Sequence, residues 1–245
     1  MTLLEKETTV LVPVDISVPE EFDRDVLKLF GPLRVALLGY YPVTDQSATD
    51  QARAQFEEEA TAALDEIAEG FADETDVESV LVFTHDTEKT VERVAAEQGA
   101  DAILTPGDVD EIEDVLVPIR GDPNIDNIAA FVGALMSETD ATVTLFHVAT
   151  DEDEESTGEY LLRGVADRLV EDGVDPDRID RRQTEDDSPA SEILEHAEDH
   201  DVLVIGETEP SLRKRILGNV PTTVIEGTEK PVLVVRKPGE FGDEG

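Results

Sequence analysis

Val10-Leu11-Val12-Pro13-Val14-Asp15 decides the fold, because the chain spells nearly the same words again at Val115-Leu116-Val117-Pro118-Ile119-Arg120. Each copy is a short apolar run closed by a charged residue. Such a run is too short for a helix and lacks the alternation of a half-exposed strand. It therefore reads as a strand buried on both faces of a parallel sheet. The same succession of elements follows each copy. The expected fold class is α/β, with two tandem doubly wound parallel-sheet units that meet near residue 110, joined by right-handed crossovers.

The second copy shows the series in full. Asp122 is placed to cap a helix that opens at Pro123. Ile125, Ile128, Ala129, Val132, Leu135 and Met136 recur at spacings of three and four, an amphipathic stripe. A strand is expected over 142–148, an acidic loop over 151–155, then a helix with Leu161, Leu162, Val165 and Leu169 inward. A weaker polar strand lies near 178–183. Ser188 caps the next helix, Pro189 opens it, and Ile193, Leu194 and Ala197 face inward. A buried strand spans 202–205, and a loop with a short helix over 206–227 leads to the last strand, Val232–Val235.

The first copy repeats this only in part. Strands are expected over 9–14, 35–40, 79–83 and 102–104. One helix places Phe56, Ala60, Ala63, Leu64, Ile67 and Phe71 on a stripe, and another uses Val91, Val94 and Ala95. After Thr105-Pro106-Gly107 only a short acidic link reaches Val115. That leaves no room for a last helix and strand, so the first unit, 1–110, is truncated. The second unit is 111–238, with an acidic tail over 239–245.

Composition sets the function classes aside. The 245 residues carry 60 Asp+Glu against 19 Lys+Arg, a formal charge of −41, and contain neither Cys nor Trp. The 70 Leu, Ile, Val and Phe residues lie well above the roughly 20% at which high charge means disorder, so the chain folds. A charge of this size strains a compact state at ordinary salt, whereas molar salt shrinks the Debye length to roughly 3 Å and removes most of the penalty. The acidity thus reads as adaptation to a salt-rich cytoplasm. It argues against nucleic acid, whose phosphates require a basic face. Without Cys there is no disulfide, thiolate metal site or Cys nucleophile. No apolar run reaches 18 residues, and the start MTLLEKETT has no basic and apolar leader, so a cytoplasmic protein that is not membrane-embedded is expected.

In open parallel sheets ligands bind beyond the carboxyl ends of the strands, where strand order switches. That rule points to the residues that follow Val14, Ile119, Val148 and Ile205, and Pro118, Arg120, Val148 and Gly206 are among the binding candidates of the second copy. Three stretches here resemble the universal stress protein family: the opening VLVPVD, the segment from Ser188 to Gly206, and the tail Gly218-Asn219-Val220-Pro221 followed by Lys230-Pro231-Val232-Leu233-Val234-Val235-Arg236. The resemblance implies tandem domains of the adenine nucleotide alpha hydrolase-like kind. It also implies a phosphate loop of the pattern G-x2-G-x9-G-[ST] in the members that bind nucleotide. In that loop glycines turn backbone N–H groups toward phosphate, and a helix N-terminus favours the anion.

Against that pattern the chain departs in several places. Gly206 matches the first glycine and Gly218 the last, but Glu209 stands at the second. The spacer is one residue short, and Asn219 replaces Ser or Thr. The strand-one Asp of the family falls at Arg120 in the second copy. The first copy keeps it as Asp15 but has no loop. The pocket therefore reads as degenerate, with no cofactor expected; ATP or AMP held by a divergent loop is the alternative. A homodimer is expected through Val232–Val235, since the family's last strand pairs across dimer interfaces, together with an unidentified protein partner. A further alternative, suggested by similar domains fused to transporters, is a soluble regulatory partner of a membrane transporter.

Other constellations are weaker. Arg213, Lys214 and Arg215 form a run of three cations inside the loop, on the side of Arg120, and suit either an anion or the local carboxylates. His196 and His200 have metal-ligand spacing on a helix but no third ligand. His147 reads as a packed strand residue. The acidic run 151–155 lacks the glycine and closing Glu of a calcium loop. No nucleophile is paired with a base, so no catalytic residue is assigned and the protein is expected not to be an enzyme.

Overall fold

The computed structural model describes residues 8–19, 22, 25–31, 33–71, 75–109, 111–121, 124–137, 139–207 and 219–237. The first copy builds β1 (Thr9–Asp15), β2 (Arg34–Pro42), α1 (Thr49–Ala68), β3 (Asp76–Thr84), α2 (Thr87–Glu97) and β4 (Ala102–Thr105). The second builds β5 (Asp114–Pro118), α3 (Ile125–Met136), β6 (Thr142–Ala149), α4 (Glu152–Glu171), β7 (Ile179–Glu185), α5 (Pro189–Ala197), β8 (Val202–Gly206), α6 (Asn219–Gly227) and β9 (Val232–Val235). The helices α2 and α4 both end at a glycine in the left-handed region, Gly99 at φ 63° and Gly173 at φ 101°. There a side chain would be strained.

All nine strands join one sheet in the order β3-β2-β1-β4-β9-β8-β5-β6-β7. Read outward from the middle, each half runs through its fourth, first, second and third strand, and all pairs within a half are parallel. The two buried VLVP runs sit in equivalent places: β1 lies between β2 and β4, and β5 between β6 and β8. One pair is antiparallel, β4 with β9, matching Ala102 to Val235 and Thr105 to Val232. The other edge of β9 pairs parallel with β8 from Leu203↔Val232 to Gly206↔Val235.

That pairing overturns the expected dimer. Val232–Val235 is not free to meet a second chain, because both of its edges are already bonded inside this one. The physical reason is the truncation. The first half supplies no fifth strand, so its β4 presents an open edge, and the last strand of the chain closes it.

The core shows the same asymmetry. On one face Val10, Val12 and Val14 of β1 and Val115 and Val117 of β5 belong to one continuous cluster beneath α1, α3 and α4. On the other face the apolar residues divide into two clusters. Leu11 and Leu38 pack with Val94 and Ala95 of α2, while Leu116 and Phe146 pack with Ile193 and Val224 of α5 and α6.

Three local expectations change. In the first half the described residues of the crossover between β1 and β2 hold a six-residue 3-10 turn, Asp25–Phe30, where the second half has α3. Pro19, Gly31 and Pro32 bracket it, and they confine helix to the residues between. The acidic run expected as a loop is instead the first turn of α4. Asp151 accepts from the Glu154 N–H at 2.9 Å, and Glu154 accepts from the N–H and hydroxyl of Thr150 at 2.9 and 2.6 Å. This is a capping arrangement, and carboxylates suit the positive end of a helix. Asn124, not Asp122, holds the N-cap of α3; Asp122 and Pro123 lie outside the described residues. Ser188 does occupy the N-cap of α5 with Pro189 behind it, but its side chain makes no capping bond.

Candidate functional site

The crevice of the second half opens where β5, β6, β8 and β9 end. Pro118 closes β5 and pairs with Phe146, and Arg120 follows at the surface. Val148 stands two residues beyond Phe146, half-buried on the face covered by α5 and α6. Gly206 closes β8. The strand ends thus bring Pro118, Arg120, Val148 and Gly206 to one side of the sheet. Gly218, Arg213, Lys214, Arg215 and Glu209 lie outside the described residues. Asn219 and Val220 open α6, so the chain re-enters helix where the family pattern requires.

The geometry gives Gly206 a packing reason. A Cβ there would sit 2.6 Å from Cδ1 of Ile128 and 3.4 Å from Nδ2 of Asn124. The start of α3 therefore lies directly against the end of β8. Asn124 is fully buried, donates to the Val235 carbonyl at 3.1 Å and accepts from Asn127 at 2.7 Å. It ties α3 to the end of β9 beside the crevice. Sequence reasoning missed it. The only local signal is an Asn at a helix start, and nothing there announces a partner 111 residues away.

Charge at the crevice runs opposite to an adenosine site built on an acid. Arg120 replaces the acid, and its positive charge is felt at Glu154. The Glu154 carboxyl is held below the ordinary range, first by the hydrogen bonds from Thr150 and then by Arg120 and His147. His147 donates its Nδ1–H to the Ile119 carbonyl at 2.8 Å, is 5% exposed, and packs so closely on α4 that a Cβ at Gly158 would fall 2.2 Å from its ring. Its Nε2 has no partner among the described residues. His200 bonds the His196 carbonyl at 2.6 Å, and the His196 ring meets Phe146 edge-on at 4.2 Å. Both imidazoles of the i, i+4 pair thus serve local structure.

The first half holds the other fragment of the pattern. Asp15 lies opposite Tyr40 in the β1–β2 register, and its Oδ1 accepts from the N–H and hydroxyl of Ser17 at 2.9 and 2.6 Å. Tyr40 occupies the place that Val148 takes in the second half, since Leu38 and Phe146 are the partners of Pro13 and Pro118. Burial and the neighbouring Asp15 carboxylate push the Tyr40 phenol above its ordinary pKa. Beyond β4 the link tucks against the entry to β9. Asp108 N–H bonds the Glu229 carbonyl at 2.8 Å, and a Cβ on Gly107 would fall 2.4 Å from that carbonyl oxygen. Backbone thus lies in close contact just beyond the end of β4.

Glu155, Ser156 and Glu159 of α4 and Gln183, Thr184 and Glu185 of β7 line an open cavity of about 480 Å³. Its three carboxylates suit no phosphate. Among the described residues there is no cluster of His, Cys, Asp and Glu able to hold a metal ion, and no helix is long and apolar enough to cross a membrane.

A mostly parallel sheet with this strand order, wrapped by helices on both faces, is a Rossmann-like α/β protein. The sequence model of the universal stress protein family matches residues 111–236, just over half of the chain, and the chain belongs to that family. Among solved structures, a universal stress protein from Archaeoglobus fulgidus DSM 4304 aligns over 96% of this chain and 97% of its own, with 17% identity and a TM-score of 0.67. A putative universal stress protein from Pseudomonas aeruginosa UCBPP-PA14 aligns over 94% of each chain, with 15% identity and a TM-score of 0.59. At such identities the likeness concerns the fold. No curated protein sequence matches the chain.

Proposed function

We infer that this chain is a stress-response or regulatory module that performs no chemistry. It is a tandem, salt-adapted cytoplasmic protein that acts through protein contacts while its nucleotide pocket has fallen out of use. The observation that supports this reading is the division of the pocket between the halves. The acid survives as Asp15 beside Tyr40, where no loop follows, and the strand–loop–helix frame survives after β8, where Arg120 has replaced the acid. A carboxylate at Glu209 would stand beside phosphate oxygens. Calorimetry with ATP and Mg²⁺ in molar KCl tests it. No heat of binding is expected, and micromolar affinity would refute the reading.

The start of α6 at Asn219, in the family's place, favours a second reading: an ATP- or AMP-binding switch or slow ATPase with a divergent loop. The same titration decides between them, with phosphate release as the readout for hydrolysis. Capture of a transporter from membranes in molar KCl tests the further alternative of a transporter regulator. The salt adaptation carries its own test. Dilution of KCl to millimolar levels is expected to abolish far-UV ellipticity, because repulsion among the net −41 charges is then unscreened.

A further inference from the structure

With β9 closed on both sides, the sheet ends at two strands, β3 and β7, and the two ends differ. Along β7 the Asp186 N–H bonds Ala149, so by the two-residue alternation of a strand the backbone groups of Arg181, Gln183 and Glu185 face outward. Charged residues line this edge, with Arg182 3.9 Å from Asp180. Charges of this kind discourage strand addition. Along β3 the Val43 N–H bonds Thr84 at 2.7 Å, which leaves the backbone of Val77, Ser79, Leu81 and Phe83 facing outward. No described residue pairs with that edge. From Ser79 to Thr84 it carries no charge, and Val77, Val80, Leu81 and Val82 are only partly buried.

We propose that β3 is the self-association edge of this protein, and that a second copy adds its own β3 antiparallel about a two-fold axis at Val80. The strand is self-complementary in that register. Ser79 meets the second copy's Leu81 and Val77 meets its Phe83, so every outward N–H finds an outward carbonyl, about eight hydrogen bonds in all. Val80 faces Val80 across the axis, and Val77 with Phe83 is a β-branched–aromatic cross-strand pair. The charges agree as well. Asp76 and Glu78 open the strand, with Arg34 2.5 Å from Glu78. They come to lie against the second copy's strand end, where Lys89 is paired with Asp86 and Arg53 with Glu57, the Arg53 guanidinium standing 5.4 Å over the Phe83 ring, so cations and carboxylates are mixed on both sides of the seam. The result is one sheet running through both molecules.

Sedimentation equilibrium in molar KCl, where the repulsion between chains is screened, is expected to show a reversible dimer of micromolar affinity. Ser79→Pro removes only an outward N–H. It is expected to weaken association about tenfold or more while the far-UV spectrum stays unchanged. Val80→Lys and Val80→Glu each place like charges across the axis and are expected to abolish self-association; an equimolar mixture of the two restores a dimer. A single-chain mass of the unaltered protein at every concentration overturns the proposal. A dimer whose affinity survives Ser79→Pro and both Val80 variants overturns it equally.

Discussion

The two halves share a strand order and differ at every position that gives the family site its chemistry. At the end of the first strand one half has Asp15, bonded to Ser17, and the other has Arg120. Two residues past the second strand's equivalent point one has Tyr40 and the other Val148. After the fourth strand one has a link pressed against Glu229, and the other has a strand that ends under Asn124 and Ile128. The strands themselves hardly differ, because each must be apolar on both faces to sit inside the sheet. The lesson is that burial constrains the body of a strand, whereas its carboxyl end is free to vary. Two halves with the same strand order can therefore carry different side chains where their strands end.

The largest test of this comparison strikes the strand that both halves use. Leu233 is fully buried between Leu104 of one half and Val204 of the other. Leu233→Asp places a carboxylate there and is expected to cost about 4 kcal/mol or more, read as a fall in denaturation midpoint. If it leaves separate melting transitions for the two halves, the continuous sheet is not one cooperative unit. Asn124→Ala comes next. It removes one of two donors from the Val235 carbonyl, which keeps the Glu207 N–H at 2.8 Å, and is expected to cost about 0.5–1.5 kcal/mol by urea denaturation. An unchanged midpoint would mean that the tie between α3 and β9 adds nothing to stability.

Two titrations sharpen the electrostatic contrast. The Tyr40 phenol is pushed up by burial and by Asp15, so Asp15→Asn is expected to lower it toward the ordinary value in a phenolate absorbance titration. A raised phenol pKa favours the neutral form in the folded state. Its stabilising contribution is thus complete below the ordinary tyrosine range and lost as pH rises through the folded value. Glu154 has the opposite sign. Its carboxyl is lowered, so its contribution is present above the ordinary glutamate range and lost as pH falls through the folded value. Carbon-detected NMR of Thr150→Val is expected to show the Glu154 titration moving up, while Arg120→Ala moves it less.

The fold was largely legible because its signals are local. The repeated VLVP runs became β1 and β5, the three-and-four spacing from Ile125 to Met136 became α3, and the acid-rich link after Thr105 holds no strand or helix among its described residues. Legibility ended where a residue's partner is distant. The acidic run at Asp151 is a local exception, read as a solvated loop although Asp151 accepts the Glu154 N–H and Glu154 reaches back to Thr150, a capping box within four residues. Gly206 matches a phosphate-loop glycine in sequence, where its close packing under Ile128 cannot be read. Val232–Val235 looks like an unpaired last strand until β4 is found beside it.

By itself the chain's sequence determined the α/β class, the recurrence of the VLVP strand and the family. Those follow from periodicity, residue counts and the chemistry of single side chains, none of which depends on where the chain goes next. Only the tertiary structure decided that the shortened half borrows the last strand of the other. An open strand edge is satisfied by whichever backbone lies nearest in space, and sequence order does not record that distance.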